Sequence, residues 1–458
     1  MPTECTPNAL RFHAVGRRAV LARSDGGTLT TDGGAVLLRE VERVTGILRG
    51  FTACFRDGRA PTRVRHSVAA LVRQRVYGLA LGYEDLNDHD QLRHDPLLAV
   101  LAETEELTAP LAGKRTVNRL ELRAAAIGAP ERYKKLAVEH AAVDQLCLDV
   151  FVAAHATPPA EVVLDLDATD DPIHGRQEGR FFHGFYGGYC YLPLYILCGA
   201  HLLCARLRTA DRDASDGALA EVERIVAHLR TVWPTVRIIL RADSGFCRDG
   251  LLAWCEAQGV DYVIGLAKNP RLRALIADDL TAAEAESTAT GRAVRRFVEL
   301  TYRTPDSWTC ARRVVAKAEH LPAGSTPRFV VTSLAPDRWP AAALYERLYC
   351  ARGDMENRIK EQQLMLFADR TSAATLRANQ LRLCCASVAY LMLHALRCLA
   401  LAGTALAHAQ CHTLRLTLLK IGARVRVTTR KVWPALATGC PHAVFFTHAH
   451  TILTHRRA

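Results

Sequence analysis

The stretch from Glu161 to Ala267 does most to restrict the fold. It reads β-β-β-α-β-α-β. The segments EVVLDLDA, YCYLPLYILCG and HLLCARLRTA are three strands, and a helix runs over DGALAEVERIVAHLRTVW. VRIILRAD is a fourth strand, GLLAWCEAQG a helix and VDYVIGLA a fifth strand. Short apolar runs bounded by turn residues mark strands with both faces covered. The second and third runs suit antiparallel neighbours. The order predicts an α/β fold: a mixed five-stranded sheet flanked by helices.

The remainder arranges itself around this core. Residues 1–150 are mainly helical, and the apolar stripe of VRHSVAALVRQRVYGLALGYEDL has Arg on its other face. The core runs over 160–275. Residues 285–336 hold RAVRRFVELTYRT, WTCARRVVAKAEH and RFVVTSL, a β-rich block that reads as an insertion. Residues 337–405 resume the core with the helix LYERLYCARGDMENRIKEQQ, and 406–458 form a basic C-terminal region.

Three carboxylates stand out by position. Asp167 ends the first strand, with Asp165 two residues earlier on the same face. Asp243 follows the apolar run Ile238-Ile239-Leu240 and precedes Ser244-Gly245. Glu356 lies on a helix. If the fourth strand lies beside the first, Asp167 and Asp243 meet at adjacent strand ends, where ligand groups collect. Two carboxylates about 4 Å apart repel by about 4 kcal/mol at an effective dielectric near 20. Divalent cations turn that repulsion into binding, and hard oxygen donors suit Mg²⁺ or Mn²⁺. Two such ions clamp the attacking and leaving oxygens of an in-line phosphoryl displacement. Tyr349, Arg352, Glu356 and Lys360, at spacings of three, four and four residues, form one helical stripe. Each acid also has a plainer reading, as a turn residue for either Asp and as part of an ion-pair ladder for Glu356.

The motifs LDLDATDDPIHGRQEG, LRADSGFCR and YCARGDMENRIKE resemble the three acidic motifs of DDE transposases of bacterial insertion sequences, specifically the transposase DDE domain group 1. The resemblance runs from about Leu29 into the basic C-terminal region. It aligns the family's Asp-x-Thr with Asp167-Ala168-Thr169, favouring Asp167 over Asp165. It aligns the second Asp with Asp243, and the helical Tyr-x2-Arg-x3-Glu with Tyr349, Arg352 and Glu356. Related signatures carry Lys seven residues after the Glu; here that position is Gln363, with Lys360 as a substitute. The resemblance implies an RNase H-like core interrupted by a β-rich insertion and a catalytic, metal-holding set Asp167, Asp243 and Glu356. It further implies two Mg²⁺ or Mn²⁺ ions, cleavage of element ends and joining to double-stranded target DNA. Tyr349, Arg352 and Lys360 are then supporting or phosphate-holding residues. A homodimer on DNA is expected. A Trp in the insertion can stack on a flipped base, and Trp308 is the candidate by position; its ordinary reading is a core aromatic. The alternatives are an RNase H-like nuclease without strand transfer, and a catalytically inactive, transposase-derived DNA-binding protein.

Charge points to the same partner. The chain has 59 Lys and Arg against 47 Asp and Glu, a net charge of +12. Twelve of the basic residues and none of the acids lie from Arg370 onward, so the preceding 369 residues are formally neutral. An acid-free segment suits a polyanion, with Arg424 and Arg426 as candidate DNA contacts. In the N-terminal region Lys114, Arg115 and Arg119 open and line a short helix after a turn, which suits a DNA groove and equally a solvated surface. The fifteen cysteines include no CxxC and fall largely in apolar runs, as expected of reduced, buried thiols. His174 and His183 lack a ligand pattern and read as loop or DNA-facing groups. The apolar stretch Leu383–Gly403 is interrupted by His394 and Arg397, which argues for a core helix and against a membrane span. MPTECTPNALRFHAVGRR has no apolar leader core, so a cytoplasmic, nucleoid-associated bacterial protein is expected.

Overall fold

The computed structural model describes residues 9–104, 106–123, 135–321 and 324–456. The N-terminal part is mainly helical, with α1 (Val68–Ala80) at its centre and α2 (Lys114–Arg123) beside it. Ser67 caps α1 by accepting from the Ala70 amide at 3.1 Å.

The sheet is built from β1 (Glu161–Ala168), β2 (Leu194–Cys198), β3 (His201–Arg206), β4 (Arg237–Ala242) and β5 (Asp261–Leu266). α3 (Ala218–Val232) precedes β4, and α4 (Asp249–Gln258) joins β4 to β5. Three further strands follow: β6 (Val294–Tyr302), β7 (Arg312–Leu321) and β8 (Arg328–Thr332). The spatial order is β3-β2-β1-β4-β5-β8-β7-β6. β2 is antiparallel to β1 and β3, whereas β4 is parallel to β1 and β5.

The five expected strands are therefore adjacent, but the sheet does not stop at five. β8 pairs antiparallel along the open edge of β5, and β7 and β6 continue outward. With the short Gly324–Ser325 strand, this sheet has nine strands among the described residues. An unpaired edge at β5 would leave a row of amides and carbonyls without partners, and the β-rich block supplies them.

Both faces are covered. Leu164, Leu166, Ile238, Leu240, Tyr262 and Ile264 face α3 and α4, while Ile239 and Val263 pack against Leu344, Tyr345 and Leu348. α5 (Gly353–Lys360) and α6 (Leu376–Ala400) complete this side. α6 is the one described helix long and apolar enough to cross a membrane, and 83% of its apolar window is buried within the body. Its polar interruptions are held inside: Arg397 donates to Ala409 O at 2.8 Å, and His394 Nε2 lies 3.2 Å from His201 Nδ1.

The helix α6 packs against α1, and residues of both ends of the chain share one apolar core. Ala423–Val427 pairs with Leu29–Thr30, joining the two ends in a small sheet. Gly33 and Gly34 permit this: a Cβ on Gly34 would collide with the Leu418 carbonyl.

Candidate active site at the carboxyl ends of two parallel strands

The register of β1 and β4 sets Arg241 opposite Asp165 and Ala242 opposite Leu166. The next step along both strands brings Asp243 beside Asp167 at the sheet's carboxyl edge. Asp243 leaves the strand in extended conformation and accepts the Gly245 amide at 2.9 Å, which fixes the turn. Asp165 has a different environment. It is 2% exposed, and Arg241 grips it with Nε at 2.5 Å and Nη2 at 2.8 Å. Arg241 Nη1 also takes the Leu348 carbonyl at 2.5 Å. Asp165 thus ties the sheet to the helical run that carries Glu356, and Asp167 is the carboxylate left at the opening.

That run begins after Pro340 and is irregular. A wide turn spans Leu344–Tyr349, a tight one Cys350–Arg352, and regular helix resumes as α5. Wide turns of this kind recur where helices serve sites. Here the turn aims Tyr349 at Gly265 of β5. A Cβ on Gly265 would lie 2.6 Å from Tyr349 Oη and 2.9 Å from the Ser244 amide nitrogen, so only glycine fits. Arg352 comes next and stands between the acids, with Nη1 3.5 Å from Asp167 and Nη2 3.0 Å from Glu356. Nη1 is buried without a hydrogen-bond partner.

The electrostatics follow from this crowding. Burial pushes the Asp167 carboxyl up to about 7; Arg352 opposes the shift, and the neighbouring Asp243 and Glu356 add to it. Burial works against the charge of Arg352, yet Asp167, Asp243 and Glu356 together raise its affinity for its proton. A site short of positive charge is the result, with three carboxylates and one guanidinium. The matching family model, described as the transposase DDE domain group 1, covers residues 12–458. The chain belongs to that transposase family.

No curated protein matches the chain. Among solved structures it is similar to a piggyBac transposase synaptic complex with hairpin DNA, at 11% identity and a TM-score of 0.40, over 85% of this chain and 80% of that one.

The other residues singled out in the transposase sequence are scattered. Lys360 is exposed one turn beyond Glu356. Gln363 donates to Asp171 Oδ1 at 2.8 Å and to Asp170 O at 3.1 Å. Trp308 is 5% exposed, packed edge-on against Tyr302 with Arg312 5.2 Å over its ring. It is a core aromatic in this structure, because the sheet extension closes around it. Lys114, Arg115 and Arg119 line a cavity of ≈ 690 Å³ together with Arg59, Arg63, Arg65, Arg93 and Lys135. Lys114 is paired with Asp90 at 3.2 Å.

The C-terminal charges are corrected most. Arg415 is buried and donates to Ala80 O at 2.9 Å, and Lys420 pairs with Asp32 at 2.7 Å. Arg370, Arg382 and Arg397 pair with Glu84, Glu121 and Glu361. Arg415, Lys420, Arg370 and Arg382 thus tie the two ends of the chain together, Arg397 is held within the C-terminal part, and none of the five belongs to a free phosphate surface. Arg424 and Arg426 remain exposed, with Arg430 and Lys431 at the turn beyond them.

Sequence reasoning missed Gly265, Arg241 and the Arg59–Arg65 side of the basic cavity. Arg241 did leave a signal, as a charged residue inside an otherwise apolar strand. Gly265 left a weaker one, as a glycine near the end of an apolar run.

Proposed function

We propose that the chain is the DNA transposase of a bacterial insertion sequence. On this reading an RNase H-like core cleaves the element's ends and joins them to double-stranded target DNA by phosphoryl transfer with two divalent ions. The observation that supports it most directly is one guanidinium shared between Asp167 and Glu356, beside Asp243, at the carboxyl edge of β1 and β4.

The donor set fits hard cations. All three groups are carboxylates, and Arg352 lies where positive charge is needed. Among the described residues no three ligand groups stand close enough to enclose an ion, and Arg352 stands between Asp167 and Glu356. Asp167 with Asp243 would hold one Mg²⁺ or Mn²⁺, and Asp167 with Glu356 the second. Bound there, the ions neutralise charge on the phosphate and on the attacking and leaving oxygens. Arg352 would hold the scissile phosphate, with Lys360 on the flanking strand. Tyr349, wedged against Gly265, keeps the helical run at a fixed distance from Asp243. Residues 1–150, with the basic cavity, serve end recognition, and a homodimer pairs the two ends. In a bacterial cell this activity belongs with the nucleoid.

The test uses DNA flanking the gene. Asp243→Ala is expected to abolish end cleavage while retaining end binding; full cleavage by that variant refutes the assignment. Labelled ends supplied with a target plasmid separate strand transfer from simple hydrolysis, since a nuclease yields no joined product.

A further inference from the structure

A segment that the carboxylates do not use projects beside them. Between Asp171 and Tyr191 the chain forms a three-stranded sheet, with Asp171–Pro172 and Phe181–His183 on either side of Gly188–Tyr191. Phe182 faces Tyr189 across the hairpin, and their rings meet edge-on at 5.7 Å. At the turn, Gly187 takes a φ of +67°, which brings its amide to His183 O at 2.9 Å.

Tyr186 anchors this turn. Its ring packs on Cys190, Leu192 and Ala210, and its hydroxyl donates to Ala168 O at 3.3 Å, one residue from Asp167. Burial, with the nearby charges of Asp170, Asp167 and Asp243, pushes that hydroxyl up to about 12, so it keeps its proton and donates. With Tyr186 turned inward, Phe185 is turned out, at 85% exposure. Phe181, Phe182 and Tyr189 are exposed as well, at 41%, 59% and 47%.

One exposed ring is ordinary, but four within nine residues of one hairpin are not, and Phe182 and Tyr189 share one face of it while Phe185 projects from its turn. The charges on the segment suggest what binds. Arg180 lies 4.5 Å over the Tyr189 ring, and Arg176 is exposed. Glu178 is drawn back toward α6, where it accepts the Leu376 amide at 3.2 Å. Aromatic faces interleaved with Arg suit unpaired nucleobases, whose π-faces stack and whose phosphates pair with the cations.

We propose that the Phe181–Tyr189 hairpin is a base-stacking platform. Phe185 and Phe182 take unpaired bases of the strand whose scissile phosphate lies at Asp167. The proposal rests on the DNA-cleaving reading above. It assigns to this hairpin the contact that sequence position alone suggested for the buried Trp308.

The test is fluorescence anisotropy with the full-length protein and two probes: a blunt duplex, and the same duplex carrying six unpaired thymidines at one end. The wild type is expected to favour the tailed duplex. Phe185→Ala should weaken binding of the tailed duplex about tenfold and leave blunt-duplex binding unchanged. Phe185→Trp should restore the preference. Phe185 is almost fully exposed, so neither change threatens folding. If the wild type binds both probes equally, or Phe182→Ala/Phe185→Ala binds the tailed probe as the wild type does, the platform is refuted and the transposase reading stands. If the wild type binds neither probe, the DNA reading itself fails. A changed sedimentation coefficient for DNA-free Phe185→Ala, with tailed-probe binding unaltered, would overturn the proposal in favour of contact with a second copy.

Discussion

Asp165 and Asp167 lie two residues apart on one strand and should respond to substitution in opposite ways. Asp165 is 2% exposed and Arg241 7% exposed, joined by two hydrogen bonds of 2.5 and 2.8 Å. Removing one partner leaves the other charge buried without compensation, which costs about 3–5 kcal/mol. Asp165→Asn keeps one acceptor oxygen and should fall near about 3 kcal/mol, at the lower end of that range. The double variant Asp165→Leu/Arg241→Met should recover most of the loss, because it buries no charge. At Asp167 burial disfavours the charge most, Arg352 opposes that, and Asp243 and Glu356 add to it. Asp167→Asn removes a charge that its surroundings disfavour on balance, so stability should be unchanged or slightly raised while cleavage is abolished. Urea unfolding followed by circular dichroism gives the stabilities, and a labelled-end cleavage assay gives the activity. The reasoning is refuted if Asp165→Asn unfolds within about 0.5 kcal/mol of the wild type, the range of an ordinary surface change. An equal loss of stability in Asp167→Asn would refute it too.

Three further outcomes are expected. Gly265→Ala places a methyl group against Tyr349 and the Asp243–Ser244 backbone. It should cost about 1–3 kcal/mol by overpacking, and cleavage should fall about 10²-fold as the acids are displaced, with DNA binding retained. Asp171 is buried with one oxygen unpartnered, and burial, eased by the Gln363 hydrogen bond but reinforced by Asp369 and Asp170, pushes its carboxyl up to about 8. The unfolded group ionises near pH 4, so the folded chain holds the extra proton in between, and stability falls as pH rises from about 4 to 8. Asp171→Asn should flatten that fall in thermal unfolding measured at pH 5 and pH 8. Arg115 and Arg119 line the basic cavity without an acidic partner among the described residues. Converting both to Gln should lower the log–log salt slope of DNA binding by about 2.

The legible parts of the fold were those fixed by local pattern. Apolar runs ending in Asp located β1 and β4, and their parallel pairing put Asp167 beside Asp243. The helical stripe located Arg352 against Glu356. What escaped depended on contacts far apart in the chain. The β-rich block was recognised as strands, but its pairing with β5 is a matter of which edge lies open. Asp165 and Asp167 share one face of a strand, and the resemblance alone favoured Asp167; the physical role of Asp165 was hidden because its partner, Arg241, lies 76 residues on. The acid-free C-terminus looked like a free basic surface because its counter-charges, Asp32, Glu84 and Glu121, lie hundreds of residues earlier.

The small sheet joining Leu29–Thr30 to Ala423–Arg424 sets the timetable of folding during synthesis. The helices before residue 124 share their core with α6, and Arg415 closes α1 by taking the Ala80 carbonyl 335 positions earlier. At about 5–20 residues per second, the ribosome delivers α6 roughly 10–50 s after those helices emerge. Throughout that interval their apolar faces have no native partner. A chain released between Glu361 and Leu376 carries the three acidic motifs yet lacks the helix that the N-terminal region packs on. Premature termination should therefore yield protein bound by chaperones or degraded, and not a shortened transposase competing for the element's ends.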